Sequence, residues 1–178
     1  MNKKCVLVTG SSIGLGASII RKYASMGYNT VITYNSHKDE AIKLQKEIKD
    51  KYNTESLVIK CDISKEEDIE NLKQEIINKF NKLDVLVNNA SIAIDTTFSD
   101  KTKENYMKIL EINLVGTFLV SKIMSTIMND NSSIINISST NGIDTYYEYS
   151  LDYDSSKAGI INLSHNLANY LSPKIRVN

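Results

Sequence analysis

The sequence predicts a doubly wound α/β fold, a parallel β-sheet with helices on both faces. Three observations point to it. Short, β-branched apolar runs recur along the chain, amphipathic helical patterns lie between them, and the first run ends in a glycine-rich turn that opens a helix. The apolar runs are nearly continuous instead of alternating, as expected for strands buried on both faces.

Each element has its own warrant. Residues 4–9 (Lys-Cys-Val-Leu-Val-Thr) form the first strand, which stops at Gly10. The turn Thr9-Gly-Ser-Ser-Ile-Gly-Leu-Gly16 then leads into a helix. Residues 30–34 are the second strand, followed by a helix with Ala41, Leu44, Ile48 and Tyr52 on one stripe. Residues 57–61 are the third strand. After it, Ser64 and Glu67 have the spacing of a capping box, and Ile69, Leu72, Ile76 and Phe80 repeat at helical spacing. Residues 83–88 give the fourth strand. Residues 103–128 read as one long helix, apolar enough for burial on more than one side. Residues 133–137 give the fifth strand, and residues 153–171 a helix ended by Pro173. The piece Ile175-Arg-Val-Asn178 looks like a sixth strand that stops almost as it begins. We therefore expect residues 1–178 to be a single domain, incomplete at its C-terminus.

Composition narrows the function. The 178 residues carry 21 Lys+Arg against 21 Asp+Glu, which removes the electrostatic case for a nucleic-acid binder. With 42% apolar and 24% charged residues, the chain has the make-up of a globular protein with a substantial core. No stretch approaches the roughly 18 apolar residues of a membrane span. Met-Asn-Lys-Lys at the start resembles the charged end of a signal peptide, but the apolar run after it is too short. Cys5 and Cys61 lie in apolar strand-like contexts and read as buried thiols of a cytoplasmic protein. No His/Cys/Asp/Glu group has metal-ligand spacing.

The glycine-rich turn carries the first functional signal. Gly10 permits a tight exit from the strand, Gly14 lets the backbone approach a pyrophosphate, and Gly16 allows close packing of the helix. Amides at the helix start then face the phosphate with the helix dipole behind them. The spacing is Gly-x3-Gly-x-Gly, and here the sequence resembles the short-chain dehydrogenase/reductase family. Three later features match that family in order: Asn88-Asn89-Ala90 closing the fourth strand, Ser138-Ser139-Thr-Asn-Gly142 ending the fifth, and Tyr153-Asp-Ser-Ser-Lys157 beginning a helix. Ser91 replaces a glycine of the family pattern, a mild departure beside the nicotinamide ribose. The resemblance spans the whole chain. It implies a Rossmann-type sheet of order 3-2-1-4-5-6 with the last strand cut short.

Tyr153 and Lys157 are four residues apart and share a helix face. Tyrosine, with a reference pKa of about 10, is a poor base at neutral pH. A nearby ammonium favours the phenolate, and lowering its pKa by about three units takes roughly 4 kcal/mol. Tyr153 is then the acid/base that exchanges a proton with the substrate oxygen. The resemblance gives Lys157 a second role on the nicotinamide ribose. Ser139, at the carboxyl end of a strand, is expected to hold the substrate oxygen. Ser138 competes for that role; Ser139 is preferred because Gly142 fits the family's Ser-x2-Gly register. Asn113 matches the family's fourth catalytic residue, which holds a proton-relay water.

For the cofactor, the resemblance assigns Gly10, Ser12, Ile13, Gly14, Leu15, Gly16, Asn35, Ser36, Asp62, Ile63, Asn89 and Ala90 as contacts, with Tyr153 and Lys157. Asp62 and Ile63 are expected at the adenine. No acid follows the second strand before Asp39, which leaves room for a 2′-phosphate that Ser36, His37 or Lys38 can bind, although Ile13 stands where NADP-preferring relatives often have arginine. NADP(H) is favoured over NAD(H). Ser36 also reads as a helix N-cap. The resemblance implies hydride transfer between nicotinamide and a carbonyl or secondary alcohol of a small molecule, with 3-oxoacyl-acyl-carrier-protein reductases and glucose dehydrogenases the most similar in look. It also implies a homodimer or homotetramer through the helices at 103–128 and 153–171. The alternatives are a non-catalytic nucleotide-binding remnant, or a fragment lacking the substrate-binding region, and a purely structural α/β domain.

Overall fold

The computed structural model describes residues 3–178. Met1 and Asn2, half of the charged start noted above, lie outside the described residues. Six strands form one parallel sheet: β1 (Cys5–Val8), β2 (Asn29–Tyr34), β3 (Ser56–Lys60), β4 (Leu83–Asn88), β5 (Met128–Asn136) and β6 (Ile175–Val177). Their order is β3-β2-β1-β4-β5-β6, as expected, and the edge strand β6 has three residues. The helices are α1 (Gly14–Ser25), α2 (Lys38–Tyr52), α3 (Glu66–Phe80), α4 (Lys103–Leu110), α5 (Thr117–Ser125) and α6 (Leu151–Leu171). Among the described residues no helix is long and apolar enough to cross a membrane.

The strand period of two builds two cores from one sheet. Cys5 and Leu7 point to one face, where Ile69, Leu72 and Ile76 of α3 and Val120, Ile123 and Met124 of α5 cover them. Val6 and Val8 point to the other, against Ala17, Ile20 and Ala24 of α1 and Ala41, Leu44 and Ile48 of α2. All four residues of β1 are buried, which explains the unbroken apolar run. The reversal of strand order at β1 leaves a crevice beyond the carboxyl ends of β1 and β4, where such sheets bind ligands.

Four readings from sequence are corrected. The helix expected over 103–128 is broken. A π-helical turn, Glu111–Gly116, separates α4 from α5, and α5 ends at Ser125. Ser125 Oγ and Thr126 Oγ1 bond the carbonyls of Lys122 and Ile123, closing the last turn in competition with the main chain. Met128 already pairs with Leu83 in β5, ahead of a register shift, so β5 starts five residues before the expected 133. The capping box at Ser64 and Glu67 does not form. Ser64 Oγ instead donates to Asp62 Oδ1 at 2.7 Å, and α3 begins at Glu66 behind Lys65. Ser36 is not the cap of α2 either. His37 holds that position, and Ser36 Oγ lies 3.1 Å from His37 Nδ1.

Candidate active site and nucleotide cleft

The glycine turn is fixed from two sides. Towards β2, Gly10 N–H donates to Thr33 Oγ1 at 3.0 Å, and Thr33 N–H donates to Ser11 Oγ at 3.1 Å. Towards β4, Asn89 Nδ2 donates to the carbonyls of Thr9 and Gly10 at 2.9 and 3.1 Å. Thr9 Oγ1 accepts from the amides of both Asn89 and Ala90 at 3.0 Å. Gly10 and Gly14 have φ of +61° and +58°, a region that costs any residue with a Cβ. Gly16 is required by close approach: a Cβ there would stand 2.7 Å from both Asn89 Nδ2 and Gly10 O. The third glycine thus packs the helix onto the turn and Asn89.

Beside this turn lies a cleft of about 330 Å³. Gly10, Ser12, Ile13, Asn89 and Ala90 line one part of it, and Asn35, Ser36, Asp62 and Ile63 another. Nine of the residues expected at a cofactor therefore meet in one concavity. Tyr34, His37, Cys61, Ser91, Ile92 and Ile112 also line it and were not assigned from sequence, with His37 weighed only as a phosphate contact. Gly14, Leu15 and Gly16 open α1 next to the cleft. The α1 terminus has no side-chain cap and no acid in its first turn, and a Cβ on Gly14 would meet nothing within 4 Å. Free amides, the positive end of the dipole and open space together fit a pyrophosphate. Ile13 and Leu15 are 47% and 58% exposed there, apolar surface that a bound nucleotide would cover.

Two of the expected contacts also have partners within the protein. Asn89 lines the cleft and its side chain also holds the glycine turn in place. Asp62 uses Oδ1 on the amide and hydroxyl of Ser64, which leaves Oδ2 without a hydrogen-bond partner among the described residues. Cys61, on the cleft wall, has its thiol pushed up to about 12, by burial first and the Asp68 carboxylate second. Burial also pushes the Cys5 thiol up, with Asp84 adding to it. In both cysteines, burial disfavours the thiolate, the reactive form of the side chain.

Helix α6 carries the second group. Lys157 is 2% exposed, and its Nζ donates to Ile137 O at 2.9 Å, its one partner among the described residues. The ammonium lies 5.4 Å from the centre of the Tyr153 ring. Burial lowers its pKa from 10.5 to about 8. Ser138 Oγ donates to Lys157 O at 2.8 Å, so that hydroxyl serves the join between β5 and α6. Among the described residues, Ser139 Oγ reaches only Asn141, through 3.3 Å bonds. Gly142 brings this segment onto α6, since a Cβ there would lie 2.8 Å from the Lys157 carbonyl carbon.

Asn113 joins the two groups. It is fully buried in the π-helical turn, a feature frequent at functional sites. Its Oδ1 accepts from Ile92 N–H at 2.8 Å, and Nδ2 donates to Ile92 O at 2.9 Å and Ser156 Oγ at 3.1 Å. Both amide hydrogens are thus used in tying the cleft wall to α6.

Tyr153, Lys157 and Ser139 do not line the cleft, and Asn113 links its wall at Ile92 to their helix at Ser156. A dinucleotide-type cleft on a doubly wound sheet beside a buried lysine and a tyrosine has the layout of a nucleotide-dependent oxidoreductase. The family profile for the short chain dehydrogenase matches residues 4–178. The chain is 35% identical over 173 residues to a 3-oxoacyl-(acyl-carrier-protein) reductase of Aquifex aeolicus, covering 96% of this chain and 69% of the relative. It is 32% identical over 180 residues to an NADP-dependent mannitol dehydrogenase of Alternaria alternata, covering 98% and 68%. A dehydrogenase/reductase from Sinorhizobium meliloti superposes with a TM-score of 0.95 at 28% identity, covering 100% of this chain and 71% of that one. A short chain dehydrogenase from Burkholderia cenocepacia in complex with NADP gives 0.93 at 25% identity, covering 100% and 72%. This chain belongs to the short-chain dehydrogenase family, whose members are NAD(P)-dependent oxidoreductases acting on CH–OH and C=O groups of small molecules.

Proposed function

We propose that the chain is an NADP(H)-dependent reductase of small carbonyl compounds, with 3-oxoacyl thioesters the first class to test. The observation that carries this is the buried Lys157 ammonium beneath the Tyr153 ring, on the helix that Asn113 ties to the nucleotide cleft. When bound in the cleft, the nicotinamide supplies the hydride. Tyr153 gives its phenolic proton to the carbonyl oxygen as negative charge develops there. Lys157, desolvated and a one-carbonyl donor, supports the phenolic oxygen and donates to the ribose. Ser139 holds the substrate oxygen, and the turn around it is set by Gly142 against α6.

NADP(H) is supported by the exposed run Asn35, Ser36, His37 and Lys38 after β2, which holds no carboxylate before Asp39. Two relatives point the same way: one is named as NADP-dependent and one was solved with NADP. The exposed Val115 and Phe118, near Gly159 on α6, support a homo-oligomer through these helices. The cytoplasm is the compartment that two buried, protonated thiols support.

The test is NADPH oxidation against a 3-oxoacyl thioester and a ketose. Tyr153→Phe is expected to lower kcat by about 10²–10⁴-fold, the usual contribution of a positioned proton donor, with NADPH still bound. NADPH binding without turnover of any carbonyl compound would favour the non-catalytic alternative.

A further inference from the structure

Next to Tyr153 the chain buries a complete ion pair. Lys101 Nζ lies 2.9 and 3.0 Å from the two carboxylate oxygens of Asp152, and the side chains are 5% and 0% exposed. Lys101 also donates to the carbonyl of Ile94 at 2.9 Å and to that of Tyr149 at 3.3 Å. Asp152 Oδ1 accepts the amide of Tyr153 at 2.9 Å. Thr96 N–H donates to Tyr149 O at 3.1 Å and closes the knot. Three segments meet at one ammonium: the loop after β4, the loop before α6, and the first turn of α6.

Such a pair is poor glue, because desolvating two charges offsets most of their attraction. What it supplies is direction. The loop it grips continues from Ile92, which lines the nucleotide cleft, and Asp152 is bonded to the amide of the very next residue, Tyr153. Asn113 makes a neutral tie between the same loop and α6 at Ser156. The loop and the helix are therefore held at two places, on either side of Tyr153 in sequence.

We propose that Lys101 and Asp152 are positioning residues, which fix the first turn of α6 and with it the Tyr153 phenol against the cleft wall. The proposal rests on the reading of Tyr153 as the proton donor. It is tested with Asp152→Asn and with the paired variant Lys101→Met/Asp152→Leu, which leaves no unpaired buried charge. The expected result is an NADPH Kd within about twofold of the unaltered chain, an unchanged KM for the carbonyl compound, and kcat lower by about 100-fold, the cost of misplacing a reacting group by about 1 Å. The paired variant is expected to lose kcat equally while melting no lower than the unaltered chain, which separates positioning from stability. A kcat within twofold of normal in the paired variant overturns the proposal. If the unaltered chain turns over no carbonyl compound, the reductase reading fails instead. Positioning is then read from the ¹³C ring resonance of Tyr153, assigned with Tyr153→Phe. A shifted resonance in the paired variant supports the proposal, and an unmoved one overturns it.

Discussion

Lys157 has 2% of its surface exposed and, among the described residues, a single carbonyl for its ammonium, an arrangement that costs the fold stability. Its pKa is 10.5 in the open chain and about 8 when buried. Between those values the unfolded state binds more protons, so stability from this residue rises with pH across that window. Below about 8 the full penalty applies. Compared with Lys157→Met, the unaltered chain is expected to gain about 2 kcal/mol between pH 7 and pH 10. Urea unfolding of both proteins at each pH gives the difference, and a difference independent of pH would refute a pKa lowered by burial at this residue. The residue is destabilising where it sits, as the proposed role beside Tyr153 requires of a desolvated ammonium.

At the scale of elements, the π-helical turn has the clearest consequence. Asn113→Ala would strand the N–H and C=O of Ile92, two polar groups on a part-buried loop. At about 1–3 kcal/mol for each unsatisfied group, a loss of about 3 kcal/mol in denaturant unfolding is expected. A loss under about 0.5 kcal/mol would mean that water replaces the amide. Nothing in the sequence announced that turn. Apolar periodicity over 103–128 registers helix, and one extra residue per turn leaves it nearly unchanged. The end of α5 was hidden for a related reason, since Ser125 and Thr126 close it through side-chain bonds that have no periodic signature. Ser64 and Glu67 had the right spacing for a cap, but Asp62 competed for the serine hydroxyl. The strands, the glycine turn and the Tyr153–Lys157 pair were legible because each is a local pattern with its own steric or chemical reason. Lys101 and Asp152 were not, because they are 51 residues apart and meet only when two loops converge.

At the scale of the molecule, the helices outside the sheet leave apolar surface uncovered. Val115 is 46% exposed and Phe118 41%, and both line a groove with Leu114 and Leu163. On the proposed homo-oligomer, Phe118→Glu is expected to lower the sedimentation coefficient to that of a single chain, whereas an unchanged coefficient would show that this groove is not a subunit contact. The same view gives meaning to the bonds between Thr33 and the glycine turn. They join the strand end near Asn35 and Ser36 to the loop that faces the pyrophosphate, so the two halves of the cleft form one stiff frame. A dinucleotide arriving at this part of the cleft has little ordering of these two loops to bring about. Thr33→Val, which removes the hydroxyl bond to Gly10 and keeps the two bonds of the residue 33 main chain to Ser11, would loosen that frame. Its signature would be faster nucleotide release with little change in the rate of capture, seen by stopped-flow fluorescence of NADPH.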